Sequence, residues 1–143
     1  MPDVEFGSLG EPVERTQVRV RMAARALGRN DLGHAYGHVS ARLDDETFLV
    51  CAPKPMGLVT PEDEGTVVPI DGPLPDGVLG EVRCHQQIYK RRPDVNGIAR
   101  TFLRDVMTLS TFQRTPRARI GFATYFAPCP PLWDDPLLLR DDA

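Results

Sequence analysis

The amino-acid sequence predicts a fold of the α/β class, in which helices pack on a sheet of short strands. Three observations support this prediction: residues 13–27 have helical periodicity, residues 39–52 read as two strands joined by a turn, and residues 81–102 read as a helix followed by a strand. The 143 residues are the size of one ordinary domain, and a hydrophobic content of 41% is enough for a core. We therefore expect a flexible leader at 1–12 and a single domain at 13–143.

The first helix and the hairpin are predicted from the spacing of apolar residues. Val39 to Leu43 begins to alternate, Asp44 and Asp45 read as a turn, and the run at 47–52 reads as a buried strand. Gly28 is placed to follow the last turn of the helix. The helical face itself is marked by apolar residues at steps of three and four, namely Val20, Ala23, Ala24 and Leu27.

The middle of the chain is expected to hold a capped turn, a strand and the second helix. Thr60 can cap a short helical turn that starts at Pro61, and Asp63 lies where a capping box has its acid. Residues 66–70 form a further strand, and Glu81 to Arg91 forms the helix. The expected core contacts of this helix are Val82, Ile88 and Tyr89.

The remaining residues predict two strands and two helices. Residues 96–102 and 120–127 read as strands, and Asp105 is expected to cap a helix that ends near Phe112. Residues 135–139 look like the start of a terminal helix. The predicted buried side chains of the helix after Asp105 are Val106, Leu109 and Phe112.

Composition excludes several classes of function. The net charge is −3, and the 17 basic residues are scattered among 20 acids, so no phosphate-binding patch is expected and nucleic acid is not a predicted partner. No apolar stretch approaches the roughly 20 residues that cross a bilayer, and the first residues lack signal-peptide features, so a cytoplasmic location is expected. The three cysteines are widely spaced, which predicts buried or half-buried free thiols.

Glu81 and His85 are the first candidates for chemistry because, four residues apart, they share one face of the second helix. Glu81 opens that helix, where a carboxylate is stabilised by the helix dipole; it is either an ordinary first-turn acid or a ligand or proton acceptor at a cleft. His85 is either a packed helix histidine or a group that shares a divalent metal with Glu81.

Four further residues could bind an anion. His38 and Ser40 occur in "GHVS", where flexible backbone, an imidazole and a hydroxyl come together, although the same pattern suits a hairpin entry. Lys54 follows a strand and is either solvated or pairs with a phosphate or carboxylate. Arg100 lies in the apolar strand "GIARTF", so it either faces water or, if it points inward, requires a partner such as a substrate carboxylate.

The order of these segments resembles the class II aldolase/adducin family, of the fuculose-phosphate aldolase type. The segments that carry the resemblance cover about residues 13–112 and match the family's anion loop, strand, acidic helix start and metal-binding strand; they are "GHVSARL", "FLVCAPKPMG", "LVTPEDEGTVVPIDG" and "GEVRCHQQIYKRRPDVNGIARTF". The resemblance implies a three-layer αβα fold with a mostly antiparallel central sheet, short at its C-terminal end, and tetramers with sites between subunits.

The resemblance also implies a metal site, and this sequence departs from it. Family members bind a divalent cation, commonly zinc, through three histidines beside an acid. Glu81 takes the place of the acid, His38 replaces an asparagine of the anion loop, and Lys54 or its neighbour falls at a phosphate-loop glycine. Arg100 and Phe102 take the places of two metal histidines, and the third is expected beyond Ala143. Neither side chain can bind a cation, so we expect no metal and no cofactor.

Three functional hypotheses remain open from the sequence. The leading one is a metal-independent lyase-like enzyme for a small carboxylate or oxo-acid, acting by decarboxylation, aldol chemistry or proton shuttling: Arg100 holds the anion, Glu81 moves a proton, and His38 or His85 assists. The second is a non-catalytic, adducin-like assembly or regulatory subunit. The third is a lyase with a metal relocated to Glu81, His85 and His38. A homo-oligomer, or a partner chain that covers Trp133 and Leu137–Leu139, is expected in each case.

Overall fold

The computed structural model describes residues 12–126 and 129–135. These residues fall into two compact units, the first ending at Thr101 and the second beginning at Phe102. The predicted leader, apart from Pro12, and the predicted terminal helix, apart from Asp135, lie outside the described residues. Along the part of the chain that is described, no helix is long and apolar enough to cross a membrane.

The first unit is built on a four-stranded sheet with helices on both faces. Its elements are α1 (Val13–Arg29), β1 (His38–Arg42), β2 (Thr47–Val50), β3 (Thr66–Pro69), α2 (Arg83–Arg91) and β4 (Gly97–Arg100). The strand order is β3-β2-β1-β4, all three neighbouring pairs are antiparallel, and the β1–β2 hairpin is the one expected from the sequence. Helices α1 and α2 cover opposite faces of the sheet, which confirms the predicted α/β class.

Helix α1 covers an apolar face of the sheet. Val20 and Ala24 of the helix are buried against Val39 of β1 and Leu49 of β2, together with Met56. These residues belong to one cluster because alternate residues of each strand point to the same side. This face is an ordinary hydrophobic core, with each buried aliphatic side chain contributing about 1.5–3 kcal/mol.

Gly28 does not end α1, contrary to the prediction. The helix continues to Arg29, and Asp31 rather than a glycine takes the left-handed backbone conformation after it, with φ of 59°. A Cβ on Gly28 would lie 2.1 Å from the backbone nitrogen of Gly57. The glycine is therefore needed for a close backbone approach and not for a helix cap.

Helix α2 covers the opposite face, where apolar and polar residues are mixed. Phe48, Val68, Val82 and Tyr89 form its hydrophobic cluster. Ile88 was expected in this core but is half in solvent, because it lies on the outer side of the helix. A short 3₁₀ helix, Gly80–Val82, precedes α2, so the predicted helix is present with a tighter first turn.

The expected turn at Thr60 is present as a turn without a helix. The carboxylate of Asp63 accepts a hydrogen bond from the Thr60 backbone N–H at 2.7 Å, which is the capping-box contact. Its other oxygen accepts from the Lys54 ammonium at 2.7 Å.

The second unit differs from its prediction in two respects. Its helix α3 (Arg104–Thr111) buries no side chain, so the predicted core contacts of Val106 and Phe112 are wrong, and Leu103 rather than Asp105 is its N-cap. The predicted strand at 120–127 is also wrong over its described part, because residues Gly121–Phe126 form a 3₁₀ helix. The apolar run is therefore not used in a sheet ladder.

Candidate functional site

The site is built from strand β1, whose alternation places polar side chains on the α2 side of the sheet. His38, Ser40 and Arg42 are all buried there, while Val39 points to the α1 side. On α2, His85 and Tyr89 are four residues apart and therefore share the face that packs on β1. Five polar or amphipathic side chains thus meet in one layer.

Four of these side chains form a continuous chain of hydrogen bonds. Nδ1 of His38 is 2.9 Å from Nε2 of His85, and Nδ1 of His85 is 2.6 Å from Oγ of Ser40. Ser40 Oγ is in turn 2.9 Å from the hydroxyl of Tyr89. Nε2 of His38 is buried and has no hydrogen-bond partner among the described residues. Among those residues, the hydrogen-bonded chain therefore ends at a ring nitrogen that has no hydrogen-bond partner.

Burial keeps both imidazoles neutral. Desolvation, with a further contribution from the Arg100 charge, lowers the pKa of His38 from 6.5 to about 4, while the Glu81 charge acts in the opposite direction. Desolvation, the neighbouring His38 and Arg100 lower the pKa of His85 from 6.5 to about 3. Burial raises the pKa of Tyr89 to about 12. The four side chains of the hydrogen-bonded chain are consequently uncharged near neutral pH.

Arg42 fixes the position of α2 over this chain. Its guanidinium donates hydrogen bonds to the carbonyl oxygens of Tyr89, Val95 and Arg92, at 2.8, 3.0 and 3.2 Å. It also lies over the Tyr89 ring, with 4.7 Å between its central carbon and the ring centroid. These bonds join β1 to the last turn of α2 and to the segment that follows, so that His85 and Tyr89 are held against His38 and Ser40.

Arg100 lies on the same side of the sheet as this chain. It is directly opposite His38 in the β1–β4 register, and residues paired in this way project to the same face. Ile98, two residues earlier on the strand, packs against the α2 cluster. The side chain is half-buried and donates to the Tyr36 carbonyl oxygen at 2.7 Å. A permanent positive charge therefore acts on the two buried imidazoles.

Glu81 brings a negative charge to the same place. It is half-buried in the 3₁₀ helix before α2, and its charge favours protonation of His38. It also opposes ionisation of Cys84, a half-buried thiol whose pKa is raised mainly by burial and lowered in part by Arg100. The charges of Glu81 and Arg100 thus shift the pKa values of His38 and Cys84 in opposite directions.

Lys54 lies outside this group. Its ammonium pairs with Asp63, and this hydrogen bond, more than any other contact, lowers the pKa of the carboxyl group. An ammonium group has three N–H donors, so one ion pair does not exhaust it.

A small pocket adjoins His38. Its cavity volume is about 10 Å³, room for about one water molecule, and it is partly open to solvent. Apart from His38 and Thr66 its walls are apolar or backbone, formed by Val50, Cys51, Ala52, Pro53, Val78, Leu79 and Val82. The histidine that ends the hydrogen-bonded chain therefore lines this recess.

Sequence reasoning missed two members of the site. Tyr89 was expected only as a core contact, although its hydroxyl ends the hydrogen-bonded chain. Arg42 was not singled out, although positions 38, 40 and 42 of "HVSAR" carry polar groups with a period of two. That period, matched with His85 and Tyr89 at helical spacing, is the signal that could have found both residues.

Cys129 was expected at least half-buried but is exposed.

The residues present do not fit the metal site that the resemblance implied. Arg100 cannot lose its proton to bind a cation and Phe102 has no donor atom. Both ring nitrogens of His85 have hydrogen-bond partners, Nε2 with His38 and Nδ1 with Ser40. Within the described ranges, no three His, Cys, Asp or Glu residues are grouped so as to hold a metal ion.

Comparisons with known proteins establish the family. The chain belongs to the family described as Class II Aldolase and Adducin N-terminal domain, whose model matches residues 18–129. L-fuculose-1-phosphate aldolase from Thermus thermophilus is 25% identical, with a TM-score of 0.65 over 78% of this chain and 57% of that one. An aldolase II superfamily protein from Pseudomonas syringae is 27% identical, with a TM-score of 0.58 over 73% and 45%. The predicted resemblance is confirmed.

A further aldolase shows the fold alone, because its sequence is less similar. L-fuculose 1-phosphate aldolase from Glaciozyma antarctica PI12 is 21% identical, with a TM-score of 0.62 over 76% of this chain and 48% of that one. The chain thus spans about half the length of these solved structures. No curated protein sequence matches it.

Proposed function

We propose that the protein is a lyase-like enzyme that works without a metal on a small carboxylate or oxo-acid. One observation supports this most strongly: Arg100 is paired with His38 across β1 and β4, and the charges of Arg100 and Glu81 both act on the His38 imidazole. A fixed cation, a carboxylate and a neutral imidazole are the groups that an enolate-forming reaction uses. We further propose that the protein acts in the cytoplasm.

In this proposal each charged group has a separate task. Arg100 binds the carboxylate or the carbonyl oxygen of the substrate through charge-assisted hydrogen bonds. Glu81 removes the proton from the carbon next to the carbonyl; the electron pair of the C–H bond forms the C=C bond of the enolate, and the carbonyl oxygen takes the negative charge beside Arg100. His38 contacts the anion, His85 and Ser40 hold His38 in place, and Lys54 supplies positive charge at the outer edge.

The test is deuterium exchange at the carbon next to the carbonyl, because it needs no knowledge of a second substrate. Pyruvate and 2-oxobutyrate are incubated with the full chain in D₂O, and loss of the C3 protons is followed by NMR. We expect exchange above the buffer rate, and a decrease of at least about tenfold in Arg100→Met and in Glu81→Gln. Arg91→Met, which changes an exposed arginine of α2, is the control. Exchange that is absent in the parent protein, or unchanged in both variants, contradicts the proposal.

A second candidate function rests on the surface of the second unit. Large apolar side chains are exposed there, including Phe112 (70%), Ile120 (78%) and Tyr125 (86%), with Trp133 also exposed. Such a surface is typical of a protein–protein contact. We propose a homo-oligomer, and in the absence of catalysis an assembly or regulatory subunit. Light scattering after size-exclusion chromatography is expected to give a mass above 15.9 kDa, and a monomer at micromolar concentration contradicts this.

A further inference from the structure

The hydrogen-bonded chain Tyr89–Ser40–His85–His38 can run in more than one direction, and its surroundings favour one of them. All four side chains are at most 2% exposed, so water cannot complete their hydrogen bonds at low cost. Each link contains one hydrogen atom, and both imidazoles are neutral. Three arrangements of the hydrogens are therefore possible: one runs from Tyr89 to His38, one runs back, and in the third Ser40 accepts from both His85 and Tyr89.

These arrangements differ in how many buried groups lack a partner. In the first, Tyr89 donates to Ser40, Ser40 donates to Nδ1 of His85, and Nε2–H of His85 donates to Nδ1 of His38. Among the described residues, the one group of the chain without a partner is then Nε2–H of His38. In each of the other two, Nε2 of His38 has an unused lone pair, and one hydroxyl hydrogen, of Tyr89 or of Ser40, has no acceptor in the described part of the protein.

The first arrangement is favoured because a buried donor or acceptor without a partner is costly. The charges of Glu81 and Arg100 affect whether His38 becomes a cation, and they do not decide which nitrogen of the neutral ring carries the hydrogen. The number of unpaired groups, one against two, then decides. The chain accordingly ends in an N–H donor, and not a lone pair, on the histidine that lines the pocket.

We propose that the Tyr89–Ser40–His85–His38 chain is a relay of fixed direction whose terminal Nε2–H of His38 donates a hydrogen bond to an oxygen atom of a small anion. The proposal deepens the proposed function and rests on it for the nature of the anion, a carboxylate or the enolate formed from it. His38 would act there as a neutral electrophile, while Ser40, His85 and Tyr89 are positioning residues. A neutral imidazole can donate a hydrogen bond to the anion without transferring its proton.

The direction can be measured without any activity assay. In the full chain labelled with ¹⁵N-histidine, the two-bond nitrogen–proton spectrum at pH 7 distinguishes Nε2–H from Nδ1–H imidazoles. Replacing His34, His38 or His85 by Gln in turn assigns the signals, and His34, which is exposed, is the internal reference. We expect His38 and His85 both to be Nε2–H tautomers. Nδ1–H tautomers at both positions would overturn the proposal.

Two variants separate a relay from two histidines that prefer the Nε2–H form independently. Ser40→Ala removes the donor to His85, so we expect a mixture of tautomers at His85. Tyr89→Phe leaves the Ser40 hydroxyl with His85 as its acceptor, so the Nε2–H form is expected to persist. If Ser40→Ala leaves a single Nε2–H tautomer, the relay is refuted. If that variant does not fold, the parent spectrum and Tyr89→Phe still decide, because Nδ1–H in either one overturns the assignment.

The ligand part is tested by adding pyruvate to the labelled protein. We expect the Nε2–H proton signal of His38 to move downfield on saturation and not to move in Arg100→Met. A His38 signal unmoved at saturating pyruvate overturns the contact to the anion. Pyruvate that moves the signal without any exchange of its C3 protons supports the contact, and shows that the proposed enolate chemistry, and not the relay, is at fault.

Discussion

The two faces of the central sheet show how one strand can serve two purposes. Val39 of β1 packs with Val20 and Ala24 of α1 in an apolar core, while His38 and Ser40, its direct neighbours in sequence, pack with α2 in a polar layer. The apolar face needs only matching shape and volume. The polar face needs every donor matched to an acceptor, and among the described residues it leaves Nε2 of His38 unmatched. Under the proposed function, the α1 face serves stability and the α2 face serves binding.

Acid is expected to damage the polar face most. The pKa values of His38 and His85 are lowered in the folded protein, so below pH 6.5 the unfolded chain binds protons that the folded chain does not. Stability is fully present above about pH 6.5 and falls by about 1.4 kcal/mol per pH unit for each histidine as the pH drops towards their folded pKa values. By about pH 5 the loss for the two histidines is about 4 kcal/mol. Urea unfolding between pH 5 and 8 measures this loss of stability.

A matched pair of histidine variants tests whether the buried histidines cause this dependence of the free energy of unfolding on pH. His85→Gln is expected to reduce the dependence of the free energy of unfolding on pH, and His34→Gln, at an exposed position, is the control for the removal of a histidine. Equal slopes in the parent and in His85→Gln would show that the buried pair does not cause the acid sensitivity.

Arg42→Met is expected to have the second-largest effect on stability. It removes the hydrogen bonds to the carbonyl oxygens of Tyr89, in the last turn of α2, and of Arg92 and Val95, in the segment that follows. The bond to Tyr89 is fully buried, and a buried acceptor without a partner costs about 1–3 kcal/mol. We expect a loss of about 3 kcal/mol in the free energy of unfolding. Arg91→Met, at an exposed position on the same helix, should change it by less than about 0.5 kcal/mol. Equal effects of the two substitutions contradict the role given to Arg42.

Gly28→Ala tests the α1 side. The new Cβ would lie 2.1 Å from the Gly57 backbone nitrogen, which requires movement of the backbone and costs about 2 kcal/mol. Gly57→Ala is the control, because its Cβ would meet Gly28 at an ordinary 3.6 Å. Chemical unfolding of both variants should show the asymmetry, and a stabilised Gly28→Ala would mean that the helix and the segment at Gly57 are not in close contact.

Tyr89→Phe is the mildest change. It removes one buried hydroxyl from the relay and keeps the packing of the ring on Phe48, so we expect a loss of about 1 kcal/mol. The same measurement on an exposed tyrosine, Tyr36→Phe, should show no loss. A loss above about 3 kcal/mol in Tyr89→Phe would indicate that the relay has a larger structural role than described.

Sequence patterns predicted the elements of the first unit because each one is periodic over its length. They also singled out His38, Ser40, His85, Glu81 and Arg100, whose residue types are unusual for their segments. They could not show that His38 bonds to His85, because that contact depends on how α2 crosses β1. They also misjudged Gly28, since a helix cap and a close backbone approach both call for glycine. At 120–127 the apolar residues carry no period that separates a strand from a short helix.

The affinity for pyruvate most directly tests whether the polar face is a ligand site organised by Arg100. Isothermal titration of the parent protein, Arg100→Met and Glu81→Gln with pyruvate at pH 7 gives three dissociation constants. We expect Arg100→Met to bind roughly 10- to 100-fold more weakly, the value of a lost charge-assisted hydrogen bond, and Glu81→Gln to bind about as well as the parent. Equal affinity in the parent and Arg100→Met, or no binding to either, would contradict the account.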